Sequence, residues 1–95
     1  MRKGHAYHGK LMTLRCLSTP AQSARFGFVL GKHVGGAVVR NKAKRRLKEL
    51  ARASQVAPGW DLVVVARETI GAATFAQLRE EFQTLLLKAG LALRK

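Results

Sequence analysis

Ninety-five residues, 47% of them hydrophobic, with two prolines and no low-complexity tract, predict one globular domain, because so short a chain buries only about 60–65% of its unfolded surface and cannot divide that into two cores. Eighteen Lys and Arg against five Asp and Glu give a formal charge of +13, far beyond what solubility asks of a small domain, so a polyanionic partner is implied. A membrane is the poorer choice of polyanion: the longest apolar run, LVVVA at 62–66, has the length of a strand, and neither a lipidation motif nor a basic helix with bulky interfacial aromatics is present. The opening MRKGHAYHGK lacks the apolar stretch of a signal peptide, and the expected location is cytoplasmic. Cys16, the single cysteine, has no internal disulfide partner and reads as a small buried thiol.

In chain order, residues 10–17 form the first clear strand, closed by the polar turn STPAQS with Pro20. Residues 24–31 resume the strand pattern, with Phe26, Phe28 and Leu30 on one face and Arg25, Gly27 and Val29 on the other. These two strands are expected to pair antiparallel. Tyr7 and His8 suggest a shorter strand upstream, without enough periodicity to place it.

Beyond Lys32, Gly35 and Gly36 permit a tight turn, and the spacing becomes helical from Ala37. Val39, Ala43, Leu47, Leu50 and Ala51 converge on one stripe facing the core. Arg40, Lys44, Lys48 and Arg52 recur every fourth residue along one edge, with Asn41 and Arg45 a step further round. Like charges at this spacing cost a few tenths of a kcal/mol per pair in an isolated helix, so an external compensation is implied. Pro58 and Gly59 end the helix, and DLVVVAR at 61–67 reads as a central strand covered on both faces, with Trp60 capping the core. Thr74 opens a last helix through the capping box TFAQ, with Phe75, Leu78, Phe82, Leu85, Leu86 and Ala89 on one face and Gly90 at its C-cap. The fold class is an α/β (α+β) two-layer sandwich, a sheet of three or four strands with two helices.

The side chains needed for protein-based catalysis are sparse. Asp61 and Glu68 flank one strand, Glu80 and Glu81 point to different helix faces, and Glu49 lies among cations, which makes a two-metal nuclease site improbable. His5 and His8 lack a partner motif for metal binding, and GKHVGGAVVRN lacks the Gly-Lys-Ser/Thr ending of a P-loop. An isolated cation such as Lys88 is best read as solvated. The row is different: seven of the thirteen residues 40–52 are basic and one is acidic, where an ordinary exposed helix interleaves signs. With the free amides expected near Ala37 and Val38, this face predicts phosphate recognition in a nucleic acid.

The same residues carry a family resemblance. RFG at 25–27 followed by KHVGGAVVRNKAKRRLKE at 32–49 resembles the protein subunit of bacterial ribonuclease P, the ribonucleoprotein that matures the leader end of transfer RNA precursors. Arg25, Gly27, Lys32, Gly35, Ala37, Val38, Arg40, Asn41, Lys44, Arg45 and Glu49 fall on the family pattern; His33 replaces a Lys and Lys48 an Arg, losing the bidentate fork. The likeness spans roughly residues 10–90. It implies a left-handed strand-helix-strand crossover, an exception to the usual hand. It further implies that Lys32, His33, Arg40, Asn41, Lys44, Arg45, Lys48 and Arg52 meet the catalytic RNA, while a sheet face holds the single-stranded leader of precursor tRNA. Magnesium would be held mainly by the RNA, with none bound by the protein alone, and no protein partner is evident.

Family members usually begin with a further helix bearing aromatic residues that lines the leader cleft, which this sequence lacks; a short variant, a late start codon and a cleft built from the sheet alone are the alternatives. Arg15, Arg25, Phe26 and Phe28 are the candidate leader contacts, with Phe26 and Phe28 better read as core because they share the face of Leu30. A ribosomal or other structural RNA-binding protein is the alternative function, and a nuclease in its own right a third.

Overall fold

Two helices lie on one face of a four-stranded sheet in this computed structural model, which describes residues 4–20, 22 and 24–91. The elements are β1 (Gly4–His8), β2 (Met12–Ser18), β3 (Arg25–Val29), α1 (Ala37–Ala53), β4 (Trp60–Ala66) and α2 (Phe75–Ala89), with short 3-10 turns at Lys32–Val34 and Glu68–Ala72. The strand order is β1-β2-β4-β3. The upstream strand suggested by Tyr7 and His8 is therefore real, an edge strand antiparallel to β2. Ala21 and Ser23 of the polar turn lie outside the described residues.

The expected antiparallel pairing of the two early strands is corrected. β4 stands between them, antiparallel to β2 through seven residue pairs and parallel to β3 through five. A parallel pair needs a long crossover, which α1 provides; β4, with four consecutive aliphatic residues at 62–65, takes the position where both backbone edges are bonded.

Nor is β4 covered on both faces. Leu62, Val64 and Ala66 are buried under the helices, whereas Asp61, Val63 and Val65 on the other side are only half-buried. The core joins these residues to Met12, Leu14 and Cys16 of β2, Ala43, Leu47 and Leu50 of α1, and Leu78, Phe82, Leu85 and Leu86 of α2. Val34 and Ile70 from the two 3-10 turns close one end. Both helices bury one stripe each, so they cover one sheet face, and the opposite face stays open.

Local chemistry explains the entries and exits. Gly35 has φ 142° and ψ −170°, a conformation confined essentially to glycine, and it turns the chain into α1. In α2, Thr74 Oγ1 accepts from the Gln77 amide at 3.1 Å and Gln77 Oε1 accepts from the Thr74 amide at 2.9 Å, the reciprocal cap anticipated from TFAQ. Gly90 ends the helix in the left-handed region.

One structural role was not legible in the sequence. Glu81, midway along α2, accepts from the backbone amides of Lys10, Leu11 and Met12 at 3.0, 2.8 and 2.9 Å, so it holds the turn between β1 and β2 onto the helix. Thr69 Oγ1 donates to the Lys10 carbonyl at 2.6 Å, tying the second 3-10 turn to the same loop. Removing the charged acceptor leaves part-buried amides unmatched. Glu81→Gln is expected to lower stability by about 1–3 kcal/mol, seen in urea unfolding as an earlier midpoint at unchanged slope.

Candidate nucleic-acid interface

The orientation of α1 is set by its contacts with the 68–73 segment. Arg46 Nη1 donates to the Ala73 carbonyl at 3.3 Å, and a Cβ placed on Gly71 would stand 3.0 Å from Val39 Cγ1. Val39, expected in the core, is instead 38% exposed because it leans on this segment rather than on the sheet. At about 100° per residue, Arg40, Lys44 and Lys48 fall on the flank turned away from it, and Asn41, Arg45 and Arg52 point outward. All six are exposed except Arg40, which is half-buried. Among the described residues no acid of α1 forms a salt bridge with this row.

Arg40 stands at the join between row and core, its Nε buried without a hydrogen-bond partner. The helix begins at Gly36 with no side-chain cap and no acid in its first turn. The amides of the first turn have no intrahelical acceptor and carry the positive end of the helix dipole. Lys32 is exposed just before this terminus. His33 is exposed as well, with Nε2 lying 3.2 Å from the Ala66 carbonyl; a carbonyl only accepts, so that nitrogen carries the proton in the bond.

A second surface is the open sheet face. The register places Thr13, Arg15 and Leu17 of β2 beside Val65, Val63 and Asp61 of β4, and these in turn beside Val29, Gly27 and Arg25 of β3. Leu17 and Val29 are large apolar residues left exposed there. Arg25 grips Asp61 with both arms, Nε to Oδ1 and Nη2 to Oδ2, each at 3.0 Å; hydrogen bonding to this carboxylate, then its charge, raises the guanidinium pKa. Arg15 is exposed on the same face. Phe26 and Phe28 are on the opposite, helix-covered side: the rings stack at 6.2 Å between centroids, and Phe26 lies 5.9 Å from Phe82 of the core. Their strand alternation turns them from the open face, in keeping with the reading that preferred core for both.

Among the described residues, no three His, Cys, Asp or Glu side chains gather to hold a metal. His5 pairs with Cys16 and His8 with Thr13 across the strands, so three-residue spacing on a strand sends the two imidazoles to opposite faces. Glu81 is committed to backbone amides and Asp61 to Arg25. Burial pushes the Cys16 thiol up from its ordinary value, which keeps it protonated and unreactive. No helix among the described residues is long and apolar enough to cross a membrane.

Residues 1–90 match the family described as Ribonuclease P. The chain belongs to the bacterial ribonuclease P protein family. Among relatives, the ribonuclease P protein component of Roseiflexus castenholzii is 38% identical over 93 residues, covering 95% of this chain and 76% of the relative. That of Thermus aquaticus is 42% identical over 91 residues, 96% of this chain and 54% of the relative. A Staphylococcus aureus RNase P protein mutant with defective mRNA degradation activity superposes with a TM-score of 0.84 at 26% identity, covering 94% of this chain and 77% of that one. The Thermotoga maritima RNase P protein gives 0.82 at 25% identity, covering 90% and 84%. Membership makes the chain the protein component of a ribonucleoprotein endoribonuclease, associated with the ribonuclease P RNA.

The flank of α1 yields a quantitative expectation. Replacing Arg40, Lys44, Arg45 and Lys48 together by Ala should reduce the slope of log affinity for that RNA against log salt by about three to four, since each neutralised phosphate contributes about 0.7–0.9. Thermal stability should hold or rise, because the change removes repulsion and adds good helix formers. An unchanged slope excludes this flank.

Proposed function

We propose that the two surfaces divide the RNA of the holoenzyme between them. The row Arg40, Asn41, Lys44, Arg45, Lys48 and Arg52, extended by Lys32 and His33 at the uncapped start of α1, docks on phosphates of the catalytic RNA. The open sheet face receives the single-stranded leader of precursor tRNA, with Arg15 and Arg25 beside the apolar Leu17 and Val29. The observation that carries this reading is the separation itself. One surface offers cations in a row for the regular phosphate array of a folded RNA. The other mixes arginine with flat apolar surface, the chemistry on which unstacked bases settle.

Catalysis then belongs to the RNA. Among the described residues Glu81 and Asp61 each have structural partners and the remaining acids are dispersed, and in this reading the magnesium ions are held by RNA phosphates. The protein contributes affinity for the precursor and screens the repulsion between the two RNAs, which lowers the magnesium needed for assembly.

Reconstitution tests this directly. With a bacterial ribonuclease P RNA at low magnesium, adding the protein should stimulate removal of the leader from precursor tRNA, and protein without RNA should cleave nothing. The holoenzyme should also bind precursor more tightly than mature tRNA, by a margin larger than that of the RNA without the protein. Tight RNA binding without stimulation would point instead to a structural RNA-binding role, and cleavage by the protein alone to a nuclease.

A further inference from the structure

Asp61 is the one acid on the open face among the described residues, an unexpected charge on a surface proposed to receive RNA. Its place is fixed by register: Asp61 of β4 lies directly opposite Arg25 of β3 in the parallel ladder. Both carboxylate oxygens are used, in the two-point fork that locks a guanidinium into the plane of its partner. The arginine nevertheless stays open to solvent, its side chain 66% exposed against 30% for Asp61. Two residues along the same face, Gly27 carries no side chain, and a Cβ there would meet only Val63 Cγ2, at 3.9 Å. A fixed, flat cation therefore stands beside a bare stretch of backbone flanked by Val63 of the neighbouring strand.

We propose that Asp61 is a positioning residue that holds Arg25 as a stacking platform for one unpaired base of the leader, the base lying over Gly27 and against the guanidinium plane. This inference rests on the leader-binding reading above and adds the contact by which a base is held. An arginine serving phosphate through its charge would gain from losing a neighbouring carboxylate. An arginine serving a base through its plane loses, because the unpinned side chain must be ordered anew each time the strand binds. The two roles thus predict opposite signs for one substitution.

Asp61→Asn makes the face more positive by one charge. It is expected to weaken holoenzyme binding to precursor tRNA about fivefold to tenfold, within the range measured for stacking of a single base, and to leave binding of mature tRNA unchanged. Arg25→Lys keeps the cation and its charge pairing with Asp61 but lacks the plane, and should lose as much. The decisive readout is a series of leaders with single abasic sites. With the unaltered protein, one position near the cleavage site should show a comparable loss; with Asp61→Asn or Arg25→Lys that penalty should vanish while the others persist. Thermal unfolding of each variant establishes that it is folded, and Arg25→Lys carries the test if Asp61→Asn is not. Equal or tighter binding by folded Asp61→Asn, or an abasic penalty that survives both substitutions, would overturn the proposal. Failure of the unaltered holoenzyme to prefer precursor over mature tRNA would instead overturn the leader reading on which it rests.

Discussion

The double pairing of β4 is the constraint from which the rest of the molecule follows. Because side chains alternate across a strand, a slip of one residue in either ladder would send Leu62, Val64 and Ala66 to solvent and bring Asp61, Val63 and Val65 under the helices. The apolar face of β4 locks that register, and the parallel bond to β3 obliges the intervening chain to cross the sheet as α1. The crossover puts the basic helix on the covered side with its cations turned outward, while the register sets Arg25 against Asp61 on the uncovered side. Both proposed RNA surfaces are consequences of where one strand sits.

Magnitudes explain why α1 tolerates its charge. Each like-charged pair four residues apart costs a few tenths of a kcal/mol, and the row Arg40, Lys44, Lys48, Arg52 contains three of them. Burying a leucine side chain recovers about 1.5–3 kcal/mol, and α1 buries both Leu47 and Leu50 with Ala43 between turns. Packing outweighs repulsion, so the helix is held by the sheet, not by its own sequence, and its outer face is free to be composed for a partner. The cost shows at Arg40, whose buried Nε goes unpartnered, where the charged row meets the core.

What was legible in the sequence was whatever a local pattern determines. The capping box at Thr74, the C-cap at Gly90, the stripe of α2 and the charged edge of α1 each depend on residues within a turn or two of one another, and the structure places them as read. Strand pairing depends on partners far along the chain: nothing local told that β4 would part β2 from β3, and so nothing could show Arg25 facing Asp61, or the open face of a strand as apolar as LVVVA. Glu81 was hidden for the same reason, its three amide donors lying some seventy residues away. Val39 fitted the apolar stripe by its angle alone, and the contact with Gly71 that draws it aside belongs to a 3-10 turn with no periodicity to announce it. The strand β1, short and on the edge, is recognisable mainly through its partner.

The two faces are assigned different RNAs, α1 the catalytic RNA and the open sheet face the leader. Directed hydroxyl-radical cleavage tests both halves at once, with an iron chelate tethered to a cysteine at position 48 of α1 or at position 29 of β3, in a protein whose buried Cys16 is replaced by Ala. In the assembled holoenzyme with precursor tRNA, the probe at 48 should cut the catalytic RNA and spare the leader, and the probe at 29 should cut the leader. Leader cleavage from position 48, or cuts in the catalytic RNA alone from position 29, would contradict the assignment of the two faces.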